Sequence, residues 1–305
     1  MNRLALLALP FAIACAPAAE LHTFTSGPEG FDTSTYWLDT GKQVVVFDAQ
    51  FTPALAEAML ADIRATTDNP IAYVVVTHPN PDKFNGATVF QAEGAQLVAS
   101  DATAEAMPGV HAYKQAYFVG AGLFTEESYP SLPEVDLRFS GELELDGAQV
   151  RLVELQNGGV SSTQTVAVLP DALVTGDLFA NRAHAWLEGG IVDGAPTPDL
   201  AAWHAALDEL APLVGEEATV YPGRGVALPL AQAVDEQHLY LDTADAVVTA
   251  YVQGLVEPMS ELSGADAGAH YAAIADQLSA EFPAYAFPYL VNYGVYGLAM
   301  QRASE

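Results

Sequence analysis

The sequence predicts a mixed α/β fold, and three observations carry that expectation. Short β-branched runs flank an alanine-rich helical stretch in the order strand, helix, strand. Two later segments carry hairpin signals. A helix with one apolar face follows, and the end of the chain is patterned mainly as helix. Of 305 residues, 51% are hydrophobic and 16% are charged, against a charged share of roughly 25% in ordinary soluble proteins. The chain is long enough to bury a large core and too apolar to be disordered overall.

Taken in order, residues 43–47 (QVVVF) form a short buried strand. Pro53 opens a helical stretch to about Arg64, and residues 71–76 are a second buried strand, which together make a βαβ unit. A helix is expected from Gly86 to Glu93, then a strand over residues 96–100 (QLVAS). Residues 101–135 read as irregular because Pro108, Gly120, Gly122, Pro130 and Pro133 interrupt them. Residues 142–155 alternate around Asp146-Gly147, the signal of a hairpin with a type I′ turn. A second hairpin turns at Pro170-Asp171. Leu200, Trp203, Leu207 and Leu210 share one helical face, with Thr197 as the expected N-cap and Pro198 in the first turn. A strand over residues 218–221 runs into Pro222-Gly223-Arg224-Gly225, and helices broken near Gly264 and Pro283 fill the rest.

The charge is lopsided: 39 acids face 10 bases, a formal net charge of −29, and the lysines Lys42, Lys83 and Lys114 are scattered. A binder of phosphate backbones needs a basic surface, so nucleic acid is excluded as a partner. The first nineteen residues hold Arg3, no acid and an apolar run from Leu4 to Ala14. They read as a secretory signal, which implies export to the periplasm or envelope. Cleavage after Ala16-Pro17-Ala18 would remove Cys15, the sole cysteine, and with it any disulfide or thiolate ligand. Cleavage immediately before Cys15 would instead make it the lipid-bearing anchor of a lipoprotein. The domain plan is therefore a signal at 1–19, a main domain at 20–228 and a helical extension at 229–305.

Chemistry is expected where buried strands run into polar loops at their carboxyl ends. Three such loops stand out: Thr77-His78-Pro79-Asn80-Pro81-Asp82-Lys83-Phe84-Asn85-Gly86, Thr175-Gly176-Asp177-Leu178, and Tyr221-Pro222-Gly223-Arg224-Gly225. Their order, spacing and flanking hairpins resemble the metallo-β-lactamase superfamily across roughly residues 20–228. The resemblance implies an αββα sandwich with the three loops converging at one edge and the C-terminal helices packed on it. It also implies a hydrolase ancestry with two zinc or iron ions held by histidines and aspartates.

The family's loops read T-H-x-H-x-D-H-x-x-G, T-G-D and P-G-H-G, with an isolated histidine ahead of the second. His78, Asp82 and Asp177 match ligand positions, whereas Asn80, Lys83, Val160 and Arg224 stand where the other histidines belong. Valine has no donor lone pair, an asparagine amide is a poor zinc ligand, and a protonated lysine or arginine repels a dication. The expectation is that Lys83 and Arg224 pair with Asp82 and Asp177 in the ion's place, with no cofactor bound. His184, in Asn181-Arg182-Ala183-His184-Ala185-Trp186, is a further candidate site residue. His22, His111, His204, His238 and His270 show no ligand spacing, and His204 is expected on a solvated helix face. The aromatic residues from Phe282 to Tyr296 read as helix packing rather than a cofactor box.

Three functions compete. The first is a non-catalytic pseudoenzyme of the envelope that binds an unidentified small molecule or acts as a scaffold. The second is a metal-independent hydrolase with His78 as general base and Lys83 or Arg224 stabilising an oxyanion. The third is a single-metal enzyme using zinc on His78, Asp82 and Asp177. Small esters, lactones, thioesters and β-lactams are the substrate classes that the resemblance implies for either hydrolase.

Overall fold

The computed structural model describes residues 20–305; residues 1–19, read above as a signal, and Cys15 among them lie outside the described residues. The chain begins with an antiparallel pair, β1 (Glu20–Thr25) and β2 (Ser34–Asp39), followed by β3 (Val44–Phe47). Helix α1 (Pro53–Thr66) starts where the Thr52 side chain accepts from the Leu55 N–H and Pro53 occupies the first turn. Next come β4 (Ile71–Val75), the single-turn α2 (Pro81–Phe84), α3 (Ala87–Ala92), β5 (Gln96–Ser100), α4 (Asp101–Gly120) and β6 (Leu137–Phe139). Strands β1 to β6 form one sheet in sequence order, antiparallel up to β3 and parallel from β3 to β6.

The second half repeats the plan with more hairpins. It runs β7 (Glu142–Leu145), β8 (Val150–Glu154), β9 (Thr165–Leu169) and β10 (Ala172–Asn181), then the small pair β11 (Gly190–Val192) and β12 (Ala195–Thr197). After α5 (Leu200–Asp208) and α6 (Ala211–Val214) come β13 (Thr219–Gly225) and β14 (Leu228–Pro229). The second sheet has the order β14-β13-β10-β9-β8-β7, with β10 and β13 parallel. Helices α7 (Leu230–Gln253), α8 (Pro258–Ser263), α9 (Ala267–Glu281) and α10 (Tyr289–Ser304) complete the chain.

Strand periodicity explains the layering. Val45 and Phe47 face the other sheet and pack with Leu152, Ala167 and Val174, whereas Val44 and Val46 face outward onto Met59, Ile63 and Phe90 of α1 and α3. The outer face of the second sheet is covered in the same way by Trp203, Tyr240, Leu241, Leu278 and Leu298. The result is the expected αββα sandwich, and α7, α9 and α10 share one apolar core with β10 and α5.

Several local expectations need correction. Residues 101–120 are helical despite Pro108. Thr103, Met107, Val110, Lys114 and Phe118 are buried at spacings of four and three, and Ser100 caps the start by accepting from the Thr103 N–H. Burial of that stripe outweighs the hydrogen bond that an interior proline removes, and position 108 faces solvent. The first hairpin closes through the four residues 146–149 rather than a two-residue turn, since Leu145 pairs with Val150 and both Gly147 and Gln149 have positive φ. Asp199, not Thr197, caps α5: its Oδ1 accepts from the Ala202 N–H at 2.8 Å, and Thr197 belongs to β12.

Helix α10 approaches the backbone of residues 186–188 closely enough that only glycine fits. A Cβ on Gly297 would lie 2.0 Å from the Glu188 carbonyl oxygen. Gly297→Val should lift α10 and destabilise the fold by roughly 1–3 kcal/mol. Thermal melts and limited proteolysis check this, and unchanged melting together with unchanged cleavage of the C-terminal helix would refute it.

Candidate functional site

Three segments meet at one edge of the sandwich: the loop after β4, the irregular middle of β10 and the last residues of β13, so the second and third, expected as loops, belong to strands. Pro81 starts α2 immediately after an extended Asn80, and that turn buries Asp82 and Lys83 side by side. Asp177 lies within β10, where the ladder to β13 shifts register between Gly176 and Ala180. Gly223 must be glycine, because a Cβ there would lie 1.9 Å from Asp177 Oδ1. Arg224 follows directly and points its guanidinium into the same space.

Lys83 Nζ is 2.8 Å from Asp82 Oδ2 and 2.9 Å from Asp177 Oδ1. Arg224 Nη2 is 3.2 Å from Asp82 Oδ2, and its Nη1 contacts Asp177 Oδ2. Arg224 also donates from Nε to the Phe31 carbonyl at 2.9 Å and from Nη2 to Thr33 Oγ1 at 3.0 Å. Each aspartate therefore meets both cations. Lys83 is fully enclosed, and Asp82, Asp177 and Arg224 are at most 7% exposed.

Burial alone would raise the Asp82 and Asp177 carboxyls, but the neighbouring cations outweigh it. Lys83 and Arg224 hold Asp82 below the ordinary carboxylate range, and Arg224, Lys83 and the adjacent His78 hold Asp177 well below it. Burial works against the charge of Lys83 and Arg224, yet the two aspartates keep both raised above their usual values.

Behind the cluster, Thr77 Oγ1 donates to Asp48 Oδ2 at 2.9 Å, and the Thr77 N–H donates to Asp48 Oδ1 at 2.9 Å. His78 Nδ1 is 3.0 Å from the same Thr77 hydroxyl, and its Nε2 faces Asp177 Oδ2 at 3.6 Å, beyond ordinary hydrogen-bond length. Burial pushes Asp48 up to about 6, against the pull of Lys83 and His78.

The structure thus brings His78, Asp82, Lys83, Asp177 and Arg224 together. Val160 lies instead in the apolar core that holds Leu178 and Trp203. His184 is also apart from the ions: it is buried against Tyr240 and Tyr285, with Nδ1 3.2 Å from the Tyr240 hydroxyl. Burial lowers its pKa to about 4. Among the described residues, no group of three or more His, Cys, Asp or Glu side chains is disposed to hold a metal ion.

Above the ions opens a narrow cleft of about 20 Å³, room for about one water, with Phe31, Phe51, Asn80, Lys114, Phe118 and Trp186 on its walls. Lys114 and its partner Glu188 escaped sequence reasoning because they are 74 positions apart. The available signal was a rare lysine on a helix-spaced stripe of apolar residues. His204 and His238, expected to be unrelated, also meet: their Nδ1 atoms are 2.5 Å apart, and each Nε2 faces the aspartate of the other's helix, Asp242 and Asp208, at 3.3 Å. Both segments read H-x-x-x-D, which places the two groups of each motif on one face of its helix.

Lys83→Met should strand buried carboxylate charge and destabilise the protein by about 3–5 kcal/mol. Denaturant unfolding measures this, and a loss under about 1 kcal/mol would mean the pair behaves as an exposed one.

Acid should also weaken the fold with a defined sign. Asp82 and Asp177 contribute stability that is full above the ordinary carboxylate range and is lost as pH falls below it, through their depressed folded-state values. His184 adds to the loss: the unfolded chain takes up a proton below its ordinary value of 6.5, which the folded site resists down to about 4. Asp48 opposes them, favouring the fold in acid and losing that contribution as pH rises toward about 6. Melting temperatures of wild type and His184→Gln should therefore converge between about pH 6.5 and 4. Parallel curves would refute the assignment to His184.

Comparison with known proteins accords with this geometry. The family model described as the metallo-beta-lactamase superfamily matches residues 28–224. A metallo-beta-lactamase from Pontibacter korlensis superposes with a TM-score of 0.54 at 21% identity, covering 75% of this chain and 96% of the other. A metallo beta lactamase from Hirschia baltica gives a TM-score of 0.52 at 16% identity, with 73% and 92% covered. At these identities the likeness is one of fold alone. No curated protein matches the sequence. The sandwich, the three converging segments and the match over residues 28–224 place this chain in the metallo-beta-lactamase superfamily.

Proposed function

We propose that this protein is a non-catalytic, ligand-binding member of its superfamily, a pseudoenzyme whose family metal position is filled by its own side chains. One observation carries the reading: Lys83 Nζ bridges Asp82 and Asp177 at 2.8 and 2.9 Å, with Arg224 closing the opposite side. Zinc, which the fold family implies, does not fit this donor set. Both aspartates are committed to cations, Asn80 and Val160 offer no imidazole, and an ammonium at the centre repels a dication.

Burial also weighs against metal-independent hydrolysis. His78 is fully enclosed and absent from the cleft walls, so a water beside Arg224 in the cleft does not meet the proposed base. We place the protein in the cell envelope, on the strength of the charge-poor apolar segment before residue 20, with Cys15 as the candidate lipid attachment point. No described helix is long and apolar enough to cross a membrane.

Elemental analysis of protein purified without chelator is the decisive test. Wild type should carry no stoichiometric zinc and melt identically with and without EDTA. The combined variant Asn80→His, Lys83→His and Arg224→His should gain metal affinity that the parent lacks. About one or two zinc ions per wild-type chain, lost to EDTA together with stability, would overturn the reading in favour of a metal-dependent hydrolase.

A further inference from the structure

Helices α5 and α7 pack together with a second polar cluster between them, made of none of the residues that hold the buried ions. Each helix contributes one H-x-x-x-D turn, and the pairing is crossed: His204 Nε2 faces Asp242 and His238 Nε2 faces Asp208, each at 3.3 Å. The two imidazole planes lie within 4° of parallel, and the Nδ1 atoms are 2.5 Å apart. Rings stacked face to face stand about 3.5 Å apart. These two therefore meet edge to edge, with both Nδ1 atoms at the shared edge.

The aspartates decide which nitrogen carries the proton. A carboxylate beside Nε2 keeps the N–H there, and a neutral imidazole has only one, so each Nδ1 presents a bare lone pair. Two lone pairs at 2.5 Å repel unless something positive lies between them. A proton can fill that place, and so can a metal ion. An imidazole whose far nitrogen donates to a carboxylate is the arrangement that fixes a histidine ligand on a metal. Here it occurs twice around one point.

Charge favours the metal. Neither α5 nor α7 contains a lysine or an arginine. Among the described residues Asp208 and Asp242 have no ion-pair partner except these histidines, and the arginines that reach α7, Arg182 and Arg302, are held by Glu236 and Asp245. With both imidazoles neutral, the cluster carries two uncompensated negative charges. The aspartate side chains are 75% and 74% exposed and the histidines 28% and 27%, so an ion reaches the cluster from solvent and the rings have room to tilt.

Geometry selects the ion. Bonds of about 2.0 Å at a right angle, as in tetragonal copper(II), put two nitrogens about 2.8 Å apart, whereas a tetrahedral zinc needs about 3.3 Å. The separation of 2.5 Å is closer to the first. Calcium and magnesium take oxygen rather than imidazole. Only the two Nδ1 atoms converge, since the aspartates lie beyond the far edges of the rings. Water therefore completes the coordination, and the site fills only when the ion is supplied.

We infer that His204 Nδ1 and His238 Nδ1 bind one copper(II) ion between α5 and α7, with Asp242 and Asp208 holding the imidazoles in the ligating tautomer. Full-length protein stripped with EDTA and dialysed, then titrated with copper(II) chloride, tests this by calorimetry and electron paramagnetic resonance. One saturable site should appear, with hyperfine structure from two nitrogens, and zinc should bind it at least about tenfold more weakly. His204→Gln combined with His238→Gln should abolish the site and its two-nitrogen signature. Asp208→Asn combined with Asp242→Asn, at exposed positions that the fold tolerates, should weaken copper by about tenfold or more. No saturable uptake, undiminished uptake in the histidine double variant, or zinc binding as tightly as copper would overturn the proposal. None of these four side chains contacts Lys83, Asp82, Asp177 or Arg224, so copper held here leaves the family metal position as it is.

Discussion

The enclosed ammonium of Lys83 is the constraint on which the site's architecture depends. Asp82 reaches it from α2 and Asp177 from β10, and without a cation between them two carboxylates would be buried within each other's repulsion. Arg224 extends the network outward. Its Nε holds the Phe31 carbonyl and its Nη2 holds Thr33, so the connection between β1 and β2 is tied to the same charges. Tyr36, at 2.7 Å from the Pro222 carbonyl, adds a neutral link between the same two regions. Buried ion pairs are weak contributors to net stability compared with an apolar replacement, but they enforce one arrangement of the groups that make them. Here that arrangement joins α2, β10 and β13 to the connection between β1 and β2.

Much of this was legible in the sequence, for reasons that differ between elements. The β-branched runs at 44–47 and 71–75 declared themselves because burial on both faces demands such residues. The pairing of Lys83 and Arg224 with the two aspartates followed from charge type at positions where a resemblance supplied the geometry. Helix α4 was obscured because Pro108 and Gly109 are local signals, whereas the buried stripe from Thr103 to Phe118 acts through tertiary contacts. Lys114 with Glu188, Thr77 with Asp48, and His204 with His238 are joined across 74, 29 and 34 positions, and no local pattern carries such separations.

The C-terminal helices do more than extend the chain. Tyr289 donates to Asp32 at 2.5 Å, Tyr293 stacks on Trp186 and meets Phe31 edge to face, and Tyr296 reaches Glu188. One face of α10 therefore buttresses both the β1–β2 connection that Arg224 holds and the tryptophan that lines the cleft. The aromatic residues expected to pack helices do so, and they also shape the wall of the candidate site.

The crossed pattern of the four buried charges bears on how such a site changes over generations. Each aspartate is shared by both cations, so a substitution at Lys83 or Arg224 removes half of the compensation from two carboxylates at once. A single histidine at either position leaves the remaining cation still facing the place where an ion would have to settle. A lineage that has acquired both cations can recover metal ligands only through unstable intermediates or several coincident replacements. The paired charges thus act as a ratchet against the return of a metal.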